Sequence, residues 1–182
     1  PYHSNNGIDI IRVIVWRQFQ DQALEYCDQI AKRGYRVSIQ PDRVNQYSPE
    51  ELVALAEKFS QIQPWAFYLV DSNGFLNQEE LLRYLHAVDN ALDKKIILGY
   101  HGHNNLQQAI GTAEQICRLN THRQIIIDGS VTGIGRSSGN LNLELIAEYM
   151  NSNFQQSYNI FEIARIYDKV LVPMESTVSW GY

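Results

Sequence analysis

The sequence predicts an α/β fold in which a parallel sheet is covered by helices, and three observations carry that expectation. Short β-branched runs recur with starts about 30 residues apart, the length of one strand plus its crossover helix. Several of these runs are continuously apolar, as strands buried on both faces require. The polar residues able to do chemistry gather where the runs end, which is where parallel α/β sheets place ligands.

The first strand candidate runs from Ile8 to Trp16. Its helix has a natural stop at Gly34, after Lys32-Arg33, where a left-handed residue costs little. The second, Tyr35 to Gln40, leads through Pro41-Asp42-Arg43 to Ser48-Pro49-Glu50-Glu51. There Ser48 can cap the amide three residues on while Glu51 reaches back, with Pro49 at the first helical position. The third, Trp65 to Asp71, holds the run Ala66-Phe67-Tyr68-Leu69-Val70 and ends in Asp71-Ser72-Asn73-Gly74; Asn77 to Glu80 then repeats the capping arrangement. The fourth, Lys95 to His101, contains Ile96-Ile97-Leu98, and the fifth, Gln124 to Asp128, contains Ile125-Ile126-Ile127. Further helices are expected after Asn105, as cap, and after Gly139. Residues 152–182 read as a C-terminal helix, from Tyr158 to Tyr167, and a tail without nameable chemistry. Residues 1–182 thus form a single domain of five βα units in series. An open doubly wound sheet and part of a (β/α)8 barrel both accommodate them.

Composition narrows the partners. With 182 residues, 45% of them hydrophobic, the chain can bury one substantial core. A formal net charge of -5 argues against nucleic acid, whose binders present a basic face. The two cysteines, Cys27 and Cys117, sit in amphipathic stretches without metal or disulfide spacing and read as small core residues. No apolar run approaches the roughly 20 residues of a membrane span, and the polar start Pro1 to Asn6 lacks the layout of a secretion signal. A cytoplasmic protein is expected.

His101-Gly102-His103 is the sharpest local signal. Residues two apart in an extended segment point to one side, so both imidazoles can converge on one ion, and Gly102 leaves room for close backbone approach. Two merely hydrogen-bonded histidines are the bland alternative; their place at a strand end favours the metal. The loop from Asp128-Gly129-Ser130 through Gly133, Gly135 and Gly139 to Asn140 is glycine-rich and joins a strand to a helix, which suggests anion binding. Its glycine spacing is neither that of a dinucleotide site nor of a phosphate loop. Asp128 and Asn140, at its two ends, can face the same cleft. His86 reads as a surface residue, His3 and His122 as loop residues, and Tyr26, Tyr84, Tyr149 and Tyr158 as helix packing residues.

Taken together, His101-x-His103-Asn104-Asn105, Asp128-Gly129-Ser130 and Gly133-x-Gly135-x-x-x-Gly139-Asn140 resemble the C-terminal signature of the metal-dependent lyase and aldolase family. That family includes hydroxymethylglutaryl-CoA lyase, isopropylmalate and homocitrate synthases and 4-hydroxy-2-oxovalerate aldolase. Asn104-Asn105 is most similar to the aldolase branch, and Asp71-Ser72-x-Gly74 also resembles the family pattern. The resemblance extends from Ile8 to about Asn151.

The resemblance implies a partial (β/α)8 TIM barrel and a divalent cation, manganese, magnesium, zinc or cobalt, held by His101, His103 and Asn140. It implies that a carbon-carbon bond beside a 2-keto acid is broken or made through an enolate whose charge the metal stabilises, with a keto acid and an aldehyde as small-molecule partners. Asp71, Ser72 and Asp128 would shape the substrate cleft or hydrogen-bond within it, and Asp128 can instead support a histidine.

The family's first-strand motif, an aspartate ligand with an arginine and a second aspartate, has no counterpart here. Counted from the histidine pair, the strands correspond to the family's fourth to eighth. Three βα units are lacking, and Arg17, Arg43 and Arg136 are the arginines near strand ends. The ending Ser179-Trp180-Gly181-Tyr182 reads as if it continues in a longer homologue. Five units leave open sheet edges, so a homo-oligomer or a second polypeptide is expected to cover them. A non-catalytic lyase-like module is the competing functional reading.

Overall fold

In a computed structural model, the described residues are 7–119, 121–174 and 177. Five strands, β1 (Ile10–Val15), β2 (Arg36–Pro41), β3 (Ala66–Asp71), β4 (Ile97–Gly102) and β5 (Ile125–Ile127), alternate with helices α1 (Gln20–Lys32), α2 (Pro49–Ser60), α3 (Gln78–Ala91), α4 (Ala109–Arg118) and α5 (Leu143–Phe154). A short α6 (Ile160–Ile166) follows. Every pairing is parallel and the strand order is β1-β2-β3-β4-β5. A doubly wound sheet reverses its order at a switch point, whereas a barrel adds each strand beside the last. The sequential order is therefore that of a barrel segment, with the outer edges of β1 and β5 unpaired among the described residues.

Strand periodicity gives the sheet two distinct faces. Val15, Ile39, Phe67, Leu69 and Leu98 point to the helices and pack with Leu52, Phe59, Leu85, Val88 and Ile116 in the main core. The opposite face carries a separate small cluster of Ala66, Tyr68, Val70 and Ile97, with Trp65 and Ile126 against it. The register follows this inner face across the sheet: Arg12 pairs with Ser38, Ser38 with Ala66, and Ala66 with Ile97. Higher up, Val70 pairs with His101. On β3 and β4 the inner face thus turns from apolar Ala66 and Ile97 to ionisable His101 at the carboxyl end, while β1 and β2 place Arg12 and Ser38 level with that apolar pair.

The helix boundaries come from local chemistry. At α2 the Ser48 hydroxyl accepts from the Glu51 amide at 3.2 Å while the Ser48 amide donates to the Glu51 carboxylate at 2.8 Å. Asn77 and Glu80 make the same reciprocal pair at 2.9 and 3.1 Å for α3. Gly34, at φ 90°, ends α1, its amide donating to the Ala31 carbonyl. The cap of α4 is displaced from expectation: the Asn104 side-chain oxygen accepts from the Ala109 amide at 3.3 Å, and Asn105 instead donates to Ser137 at 3.2 Å. The helix expected after Gly139 begins only at Leu143, because residues 140–142 first run beside the end of β4. There the Leu141 amide donates to the Gly102 carbonyl, and His103 forms a bridge with Asn140.

Arg123 is a core feature the sequence did not announce. Its side chain is 0% exposed, ion-paired to Asp89 and donating to the carbonyls of Asp89, Leu92, Asp93 and Ile96. It gathers the end of α3 and the approach to β4 around the entry to β5. Cys27 is buried and Cys117 partly so, both as free thiols. Tyr84 packs as expected and donates to the Tyr47 carbonyl at 2.7 Å. Tyr26 is 62% exposed, and Tyr158 is an exposed residue ahead of α6; packing accounts for neither. His86 and His122 are exposed, while His3, the start Pro1 to Asn6 and the ending Ser179 to Tyr182 lie outside the described residues. Among the described residues, no helix is long and apolar enough to cross a membrane.

Candidate active site

The carboxyl ends of β1 to β4 and the loop after β5 enclose a cleft of about 390 Å³ that includes Arg12, Gln40, Ser72, His101, His103 and Arg136 in its lining. An adjoining cavity of about 180 Å³ brings His101 together with Arg12, Asp128, Gly129 and Asn140. Five segments distant in sequence thus meet where the inner face of the sheet ends.

His101 and His103 converge as their spacing suggests, with ring centroids 5.5 Å apart at an interplanar angle of 69°. The backbone under His103 is shaped by Gly74, which has φ 59°; a Cβ there would lie 2.6 Å from the His103 carbonyl oxygen and 2.7 Å from the Asn105 amide. Only glycine satisfies both the positive φ and that close approach. The resemblance to Asp71-Ser72-x-Gly74 therefore has a physical content: this turn supports the histidine strand.

Asp128 organises the interior of the site. Its carboxylate lies 3.1 Å from His101 Nδ1, accepts from the Tyr68 hydroxyl at 3.2 Å and is ion-paired with Arg12. Burial pushes the Asp128 carboxyl up, but the hydrogen bonds from His101 and Arg12 outweigh it and hold the group below the ordinary carboxylate range. An ionised Asp128 accepts only, so Nδ1 of His101 carries the proton and Nε2 keeps its lone pair for a ligand. Burial, joined by the charges of His101 and Arg136, lowers the pKa of His103 and favours the neutral imidazole that a metal needs.

Arg12 is the residue that sequence reasoning passed over. Its guanidinium also donates to Gln40 at 3.0 Å and sits 4.7 Å from the centroid of the Tyr68 ring. Gln40 in turn donates to Ser38 at 2.8 Å, extending the polar chain along β2. The available signal was one charged residue alternating with apolar ones within Ile10-Ile11-Arg12-Val13-Ile14. A charge placed there needs water or a polar partner, and the partner is Asp128.

Asn140 lies at the end of the glycine-rich loop. Its amide nitrogen donates to the Ile134 carbonyl at 2.9 Å and to Ser130 at 3.4 Å, while its side-chain oxygen is buried without a hydrogen-bond partner. Gly135 makes this possible, since a Cβ there would collide with the Asn140 amide. An orphaned buried carbonyl oxygen is costly unless something electropositive meets it. Two imidazoles and this oxygen form a donor set suited to a divalent cation. Among the described residues, no three His, Cys, Asp or Glu side chains converge on a common point, so an acidic ligand is not supplied by them.

Ser72 and Asp71 part company. Ser72 lines the cleft, donating to Asp42 at 2.7 Å and accepting from the Arg43 amide at 3.0 Å. Asp71, one residue earlier, points to the other face, where its carboxylate accepts from the Phe75 and Leu76 amides at 3.2 and 3.1 Å. Burial raises its pKa against those bonds. The structure brings Ser72, His101, His103, Asp128 and Asn140 together and leaves Asp71 as the organiser of its own loop.

The model of the HMGL-like family matches residues 12–170. The chain belongs to the HMGL-like family. Among curated HMGL-like relatives, 4-hydroxy-2-oxovalerate aldolase of Marinomonas sp. (strain MWYL1) is 28% identical over 169 residues, 92% of this chain and 49% of that protein. Oxaloacetate decarboxylase of Mycobacterium tuberculosis is 27% identical over 143 residues, 79% of this chain and 41% of that protein. The chain thus spans about half the length of the curated relatives it matches. Among solved structures, the N-terminal domain of a candidate aldolase from Bacteroides vulgatus superposes with a TM-score of 0.79 at 25% identity, over 95% of this chain and 56% of that one. Bacillus subtilis HMG-CoA lyase gives a TM-score of 0.74 at 15% identity, over 93% of this chain and 63% of that one, and shares the fold. The five βα units are accordingly part of a TIM-barrel-type sheet.

Proposed function

We propose that this chain contributes the metal-binding and substrate-facing half of a divalent-metal-dependent lyase or aldolase acting on a carbon-carbon bond beside a 2-keto acid. The observation that carries the reading is the buried, unpartnered oxygen of Asn140, which shares a cavity with His101. His101, His103 and Asn140 would hold the cation, whether manganese, magnesium, zinc or cobalt. When bound, it supplies positive charge that polarises a keto group and stabilises the enolate left when the adjacent bond breaks.

The chain's own residues prepare that chemistry. Asp128 keeps the proton of His101 on Nδ1, and the bonds from His101 and Arg12 together keep Asp128 ionised. Val70 and Ile14 give the cleft an apolar wall for the carbon skeleton of a keto acid, while Gln40 and Ser72 provide polar edges. Membership in the HMGL-like family and the aldolase and decarboxylase names of the relatives support the reading. The open edges of β1 and β5 are to be covered by further βα units or by a second copy, and the setting is the cytoplasm.

Exchange of the pyruvate methyl protons into deuterium oxide, followed by proton NMR in the presence of manganese, tests the enolising step alone. We expect exchange above the manganese-only rate, lost in His101→Ala. A rate no higher than with manganese alone would contradict the proposal.

A further inference from the structure

Among the described residues lining the cleft, the charges are matched except at one. Arg12 is ion-paired with Asp128, and Asp42 is paired with Arg43 at 2.7 Å and bonded to Ser72. Arg136 also lines the cleft, and among the described residues no carboxylate pairs with it. A cation facing a ligand cleft without an acidic partner is complementary to an anion on the ligand itself.

The loop that carries Arg136 is closed on itself and tied at its far end to the residues that follow the histidine strand. The Asn104 amide donates to the Gly139 carbonyl at 2.9 Å, and the Asn140 amide to the Gly133 carbonyl at 2.9 Å. Between them the Gly139 amide closes a turn onto the Arg136 carbonyl at 3.1 Å, and Asn105 donates to Ser137 at 3.2 Å. Arg136 therefore stands on a pinned base beside His103 and shares the lining of the cleft with Gln40 and Ile14 of the first two strands.

Resting on the keto-acid reading above, we propose that Arg136 binds a second carboxylate at the far end of the substrate, making the cleft selective for 2-keto dicarboxylates over keto acids with a neutral tail. A planar fork of N–H donors suits a carboxylate, and a charge-assisted bond of this kind at a partly exposed site amounts to about a tenfold gain in affinity.

The test uses 2-oxoglutarate and 2-oxovalerate, which share a five-carbon skeleton and differ in whether the chain ends in carboxylate or methyl. Calorimetric titration of the manganese-loaded protein is expected to show 2-oxoglutarate binding about tenfold more tightly. Arg136→Gln should bring the ratio near one, and Arg136→Lys should restore part of it. Equal affinities in the unsubstituted protein, or a preference that survives Arg136→Gln, would overturn the assignment to Arg136 alone. Absence of binding by both acids would overturn the keto-acid reading with it.

Discussion

The Asp128 carboxylate lies 3.1 Å from Nδ1 of His101, and this bond decides which imidazole nitrogen is free to face the cavity. Because Asp128 also accepts from Tyr68 and pairs with Arg12, its orientation does not depend on a ligand. Loss of such a supporting carboxylate weakens metal affinity by about 10–100-fold in comparable sites. Asp128→Asn should produce a loss of that size in a manganese titration with unchanged far-UV circular dichroism. Unaltered affinity would mean that Asp128 has no part in orienting His101.

Gly74 and His103 make the second prediction. Alanine at Gly74 meets a left-handed φ of 59° and a carbonyl oxygen 2.6 Å from its Cβ, so the loop and the histidine strand must separate. Gly74→Ala should lower stability by about 1 kcal/mol or more in urea and weaken metal binding at the same time. A stability loss with fully retained metal affinity would show that the turn does not hold His103.

The Arg123–Asp89 pair links stability to pH. Burial raises the Asp89 carboxyl, but the bond and charge of Arg123 dominate and hold it below its ordinary value. A depressed folded pKa contributes stability that is present above the unfolded value, near 3.9, and disappears as pH falls through the lower folded value. Arg123→Met should therefore cost about 3–5 kcal/mol near neutral pH by urea unfolding, with the difference shrinking below about pH 4. A pH-independent difference would assign the effect to packing.

A fourth prediction concerns the sheet edges. With β1 and β5 unpaired among the described residues and an apolar groove of about 610 Å³ beside β5, the isolated chain should associate in light-scattering chromatography. A monomer at all concentrations would contradict the expected cover.

Much of the architecture was legible because strand and helix signals agreed. The apolar runs of Ala66 to Val70 and Ile96 to Leu98, with the caps at Ser48 and Asn77, fix both element type and direction. The barrel-like strand order was not readable from periodicity, since it depends on which strands pair. The convergence of His101 with Asp128 was foreseeable once both were placed at strand ends. Arg12 was missed because its significance lies in a contact with Asp128, 116 residues on in the sequence. Asp71 was grouped with Ser72 although neighbours on a strand face opposite sides, and the pairing of Val70 with His101 shows which side is the cleft. Arg123 was invisible because its acceptors are mostly backbone carbonyls.

The most direct test of a metal site built from His101, His103 and Asn140 is calorimetric titration of the metal-stripped protein with manganese and with zinc, beside the alanine variants at those three positions. Micromolar or tighter binding, abolished by either histidine substitution and weakened by Asn140→Ala, is the predicted result. No binding, or binding that survives both histidine substitutions, would contradict it.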